Sequence, residues 1–127
     1  MSSEFQANVL LVDDRPENLL AMETILADLR QNLVRAGSGR EALRYLLTED
    51  FALILLDVQM PGLNGFELAE LIRERERTQR TPIIFISATS RDEQYVFKGY
   101  SLGAVDYLTK PFEPEILKSK VRVFTQL

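Results

Sequence analysis

The sequence contains no cysteine and no histidine. Disulfide frameworks, thiolate nucleophiles, Cys/His zinc sites and every histidine-based triad are therefore excluded. The chain cannot itself carry a phosphohistidine. No apolar run approaches the roughly 20 residues that a bilayer-crossing helix needs, and the first residues, MSSEFQAN, have neither the basic start nor the apolar core of a signal peptide. Internal repeats, low-complexity tracts and linkers are absent too. The net charge of -4 argues mildly against nucleic acid as the direct partner, since that needs a clustered basic face. The expectation is a soluble, cytoplasmic protein that neither binds nucleic acid directly nor inserts into a membrane.

What remains is ordinary globular material. The chain has 127 residues, 46% apolar and 27% charged, enough for one domain over 1–127 with a short polar tail over about 1–7. Asn8 to Val12 (NVLLV) reads as a strand that ends in Asp13 and Asp14. Pro16 then opens a helix with Leu19, Met22, Leu26 and Leu29 on one face. Asn32 to Ala36 is a second strand, broken by Gly37, and Ser38 with Glu41 forms a capping box for a helix through Leu43, Leu46 and Leu47. A third strand, Ala52 to Leu56, delivers Asp57 into the loop VQMPGLNG, and Asn64 with Glu67 caps the next helix. IRERERTQR, from Ile72 to Arg80, reads as a solvated helix end with i,i+4 pairs. Pro82 leads into IIFIS, which ends in Ser87. Ser90 and Glu93 cap a helix that runs to Leu102 and is stopped by Gly103. Ala104 to Leu108 is the fifth strand, ended by Thr109-Lys110-Pro111, and Pro114 opens the last helix.

Five strands alternating with helices imply right-handed crossovers and a parallel sheet with helices on both faces, an α/β doubly wound fold. All carboxyl ends of such strands share one rim, the edge where open α/β sheets place their chemistry. That rim collects Asp13, Asp14, Asp57, Ser87 and Lys110. Three crowded carboxylates resist ionising together unless a cation joins them, and with oxygen donors alone the fitting ion is Mg²⁺, with Mn²⁺ next. A carboxylate can attack phosphorus, and the charge that develops needs a metal, a cation and a hydroxyl donor around it. Lys110 and Ser87 are of those types. Asp57 is the favoured nucleophile because its own loop supplies neighbouring backbone groups.

The stretches VLLVDDRPEN, LILLDVQMPGLNG, IIFISAT and DYLTKPF, in this order and spacing, resemble the receiver domain of a two-component response regulator over nearly the whole chain. The resemblance implies a flavodoxin-like sheet of order 2-1-3-4-5. It implies that Asp57 is the phosphoacceptor, served by a phosphohistidine on a partner histidine kinase or phosphotransfer protein. Asp14 and Asp57 would ligate Mg²⁺ directly, Asp13 through water, and Gln59 through its backbone carbonyl. Lys110 would pair with the phosphoryl group, and its bond to Pro111 would be cis. Ser87 fills the conformational hydroxyl position and Tyr107 the aromatic switch position, while Gln59 and Thr89 stand where phosphate lifetime is tuned. Phosphorylation would draw Ser87 toward the phosphoryl oxygens and let Tyr107 turn inward. Moving such a switch from mostly off to mostly on takes about 5.5 kcal/mol of differential binding.

Two other function classes compete. A Mg²⁺-dependent aspartyl-phosphate phosphatase wants a second acid two residues after the nucleophile, where this chain has Gln59. A pseudo-receiver that only binds partners is expected to lack some of the acidic pair, the acceptor or the lysine, and all are present. Arg15 reads as a solvated loop residue and Asn18 as a residue that settles the start of the first helix. Tyr95, Val96, Phe97, Tyr100 and Leu102 make their helix apolar on more than one side, which suits either partner contact or simple burial. The last helix carries two apolar rows, Leu117, Val121 and Phe124 beside Ile116, Val123 and Leu127. One core needs one row, so the other is expected to form a homodimer or to continue into a longer helix. ENLLAMETIL and ILKSKVRVFTQL resemble receivers of multidomain regulators and hybrid kinases.

Overall fold

The computed structural model describes residues 6–88 and 98–126. Thr89, Ser90, Glu93, Tyr95, Val96, Phe97 and Leu127, on which some of the expectations above fall, lie outside the described residues. The strands are β1 (Asn8–Val12), β2 (Asn32–Ala36), β3 (Leu53–Asp57), β4 (Ile83–Ser87) and β5 (Asp106–Thr109). Between and after them run α1 (Pro16–Leu26), extended by a 3₁₀ turn over Ala27–Leu29, α2 (Gly39–Thr48), α3 (Gly65–Glu74) and α4 (Pro114–Thr125). Residues 98–101 are also helical. All strand pairs are parallel and the order is β2-β1-β3-β4-β5, so the expected sheet is the observed one.

The strands are continuous apolar runs because successive side chains leave opposite faces and both faces are covered. Leu10, Val12, Ile54, Leu56, Ile83 and Phe85 point to one side, against Ala42 and Leu46 of α2 and Leu68, Ala69 and Ile72 of α3. Val9, Leu11, Leu53, Leu55, Ile84 and Ile86 point to the other, against Leu19, Met22 and Leu26 of α1 and Leu117 and Val121 of α4. β3 lies between β1 and β4, and every residue of it is buried. Its last residue, Asp57, is thus held by a central strand covered on both faces.

Local chemistry sets the helix starts. Asn64 and Glu67 form the complete capping box at α3, each side chain accepting from the other's backbone N–H. At α2 the reciprocal half differs from expectation: Ser38 accepts from Glu41 N, but Glu41 Oε1 takes the N–H of Gly37 instead of Ser38. The charged stretch that closes α3 and continues beyond it also differs. Arg73 donates to the carbonyls of Leu102 at 2.9 Å, Thr81 at 2.8 Å and Gly103 at 3.1 Å, and Arg77 binds Asp50 at 2.8 Å and the Leu47 carbonyl at 2.9 Å. The arginines join separate elements where i,i+4 pairs along one helix were expected.

Candidate functional site

The carboxyl ends of β1, β3 and β5 meet at a cleft of about 460 Å³ lined by Asp14, Arg15, Asn18, Asp57, Gln59, Ala88 and Lys110. Each acid sits where a strand stops. Asp13 continues β1 by donating its N–H to Ala36 O, and Val58, directly after Asp57, donates to Ile86 O. Lys110 follows β5 with its N–H on Ser87 O, and its bond to Pro111 is cis. These backbone bonds fix the rim before any side chain is considered.

One carboxylate oxygen from each of Asp13, Asp14 and Asp57 lies within 4.8 Å of the other two. Asp13 is 1% exposed and Asp57 4% exposed. Lys110 Nζ reaches both, 2.8 Å from Asp13 Oδ2 and 3.3 Å from Asp57 Oδ1. Burial, then the charge of Asp13, pushes the Asp57 carboxyl up to about 6, against the opposing pull of Lys110. Burial by itself would lower Lys110, but its hydrogen bond to Asp13 and the charges of Asp57 and Asp13 leave it raised. One lysine therefore does not neutralise three acids. The residual charge, the oxygen-only donors and the open side of the cleft fit a hard divalent cation.

The other expected residues fall into place unequally. Gln59 lines the cleft. Ser87 ends β4 at the same rim but is fully buried. Tyr107 lies on β5 opposite Phe85 of β4, its half-buried ring 6.2 Å from the Phe85 ring. Phe85 in turn meets Phe66 of α3 edge-on at 5.1 Å. Two residues acquire more than the sequence suggested. Asn18 donates its side-chain amide to both oxygens of Asp13, at 3.3 and 3.2 Å. Gly65 is pressed on the loop after Asp57: a Cβ there would stand 2.3 Å from Asp57 O. Its signal in the sequence is the Asn-Gly pair that follows the proline loop.

The response regulator receiver domain family matches residues 9–122. A probable cyclic di-GMP phosphodiesterase of Vibrio cholerae is 37% identical over 121 residues, 95% of this chain and 27% of that protein. The transcriptional regulatory protein DltR of Streptococcus agalactiae is 39% identical over 118 residues, 93% of this chain and 51% of DltR. The chain thus spans about a quarter to a half of these relatives' lengths. Among solved structures, the receiver domain of sensor histidine kinase PA1611 from Pseudomonas aeruginosa, described with a magnesium ion coordinated in its active-site cleft, superposes with a TM-score of 0.85. It is 28% identical and covers 94% of this chain and 98% of that one. A family match that runs from the second residue of β1 to the last turn of α4, carried by a sheet of the same topology, makes the chain a member of the response regulator receiver domain family of two-component phosphorelay signalling.

Proposed function

We propose that the chain is a phosphorylation-dependent switch that accepts a phosphoryl group on Asp57 from a phosphohistidine of a partner histidine kinase or phosphotransfer protein. The observation that carries this reading is the position of Asp57: a carboxylate at the floor of an open cleft, flanked by two further acids and one lysine. Attack by a carboxylate oxygen forms the new O–P bond and breaks the P–N bond, and the electron pair returns to the imidazole. Asp14, Asp57 and the Gln59 carbonyl would hold Mg²⁺, with Asp13 acting through water, and the ion supplies charge neutralisation for the phosphoryl oxygens. Lys110, already between Asp13 and Asp57, pairs with the charge that arrives. Ser87 supplies the hydroxyl that moves toward the phosphoryl group, and Tyr107 turns as it does so. Gln59 and Thr89 tune how long the group stays.

The donor imidazole has to come within bonding distance of Asp57, so its protein must dock around the cleft mouth. A hollow of about 520 Å³ adjoins the cleft, sharing Asn18, Ala88 and Lys110 with it and adding Ala21, Ile25, Pro111 and Phe112. Leu20, also on α1, is 59% exposed. This apolar ground supports docking of the partner against α1 and the loop after β5. On another face, Ile116 and Val123 of α4 are exposed, as are Tyr100 and Val105, which supports a homodimer. No helix among the described residues is long and apolar enough to cross a membrane, and the switch is assigned to the cytoplasm.

Fluorine NMR with beryllofluoride and Mg²⁺ tests the acceptor. Bound-fluoride signals that vanish in Asp57→Asn are expected; their absence from the unaltered chain would overturn the reading. Sedimentation with and without beryllofluoride tests the homodimer, which a monomer in both states would contradict.

A further inference from the structure

The three carboxylates of the cluster are not equivalent. Asp14 and Asp57 line the cleft, whereas Asp13 does not and is 1% exposed. Its oxygens are already engaged from several directions. Oδ1 accepts the N–H of Arg15 at 3.0 Å and Asn18 Nδ2 at 3.3 Å. Oδ2 accepts Asn18 Nδ2 at 3.2 Å and Lys110 Nζ at 2.8 Å. An ionised carboxylate offers about four lone-pair sites, so its neighbours take most of the capacity of Asp13 and leave room for a water.

These donors have different obligations. The Arg15 N–H is placed by the turn after β1, and Lys110 also serves Asp57 at 3.3 Å. Asn18, in the first turn of α1, directs its amide at Asp13 and stands in the wall of the cleft. We infer that Asn18 is a positioning residue that holds Asp13 out of direct metal contact and so sets the preference of the cleft for Mg²⁺ over larger divalent ions. The inference rests on the reading of Asp14 and Asp57 as metal-holding residues. Mg²⁺ keeps several of its waters and is bound through one or two carboxylates, whereas Ca²⁺ takes six to eight oxygens in looser geometry. Without the Asn18 amide, lone pairs of Asp13 are released within 4.8 Å of the Asp14 and Asp57 oxygens. A third direct carboxylate favours the ion that uses more ligands.

Calorimetric titration of the full chain with MgCl₂ and CaCl₂ tests this, using the unaltered protein, Asn18→Ala, Asn18→Leu and Asp57→Asn. In both Asn18 variants the affinity for Ca²⁺ relative to Mg²⁺ is expected to rise on the order of tenfold, the scale on which residues behind metal ligands act. Thermal melts of the metal-free variants report folding separately. A fall in Tm with an unchanged Ca²⁺/Mg²⁺ ratio would mark Asn18 as merely structural and overturn the inference, leaving the metal reading intact if Asp57→Asn still weakens binding. Divalent binding that Asp57→Asn leaves unchanged would overturn the metal reading itself, and this inference with it.

Discussion

Replacing Asp57 by Asn is predicted to stabilise the metal-free protein at pH 7. The carboxyl is 4% exposed and its pKa stands at about 6, against an ordinary 3.8, because burial and the Asp13 charge outweigh Lys110. A carboxylate whose folded pKa is raised binds its proton more tightly in the folded chain, so ionising it costs stability. Well below 3.8 both states are protonated and the cost is absent; it grows between 3.8 and about 6 and is complete at pH 7. At about 1.4 kcal/mol per pH unit the gap amounts to roughly 3 kcal/mol. That gap already contains the opposing pull of Lys110, so the expected gain is about 3 kcal/mol, or about 10 °C in Tm for a chain of this length. Thermal and urea melts in a chelating buffer at pH 3 and pH 7 would measure it. Added Mg²⁺ should stabilise the unaltered chain and not Asp57→Asn, narrowing the difference. An Asp57→Asn variant less stable than its parent at pH 7, or a gain as large at pH 3 as at pH 7, would refute this reasoning.

Other substitutions probe the frame of the site. Gly65→Ala places a Cβ 2.3 Å from Asp57 O and 2.8 Å from Val58 Cα, both backbone atoms, and should cost about 3 kcal/mol in denaturant melts. Arg73→Lys removes the fork that ties the carbonyls of Thr81, Leu102 and Gly103 together, and should cost about 2 kcal/mol with faster amide exchange around residues 102–104. Lys110→Met removes the charge that holds the Asp57 carboxyl down, so its titration midpoint, followed by carbon NMR, should move above about 6. A midpoint that falls would contradict the assigned electrostatics.

The sheet was legible in the sequence because strands covered on both faces leave an unbroken apolar record. Their order came with the resemblance, and the structure bears it out. Strand limits were less legible. β3 runs Leu53–Asp57, one residue later than expected, and β5 starts at Asp106 instead of Ala104. The reason at β5 is local: the Ala104 N–H donates to Gly99 O, closing the preceding helical turn before the ladder begins. The acids and Lys110 were legible because each ends a strand or follows one within two residues, where topology alone brings them to one rim. Asn18, Gly65 and Arg73 were not, because their roles depend on groups from other turns and elements. Asn18 meets Asp13 across the start of α1, Gly65 packs on the end of β3, and Arg73 gathers carbonyls about thirty residues away. The exposed row on α4 was expected, and Ile116 and Val123 stand in solvent as that pattern required.

The most direct test of the central claim is intact-mass measurement after incubation with acetyl phosphate and Mg²⁺, followed by borohydride reduction and peptide mapping to locate the acyl phosphate. A single phosphoryl adduct at Asp57, lost in Asp57→Asn and absent when Mg²⁺ is chelated, is the predicted result. No adduct, or an adduct at another residue that persists in Asp57→Asn, would contradict it.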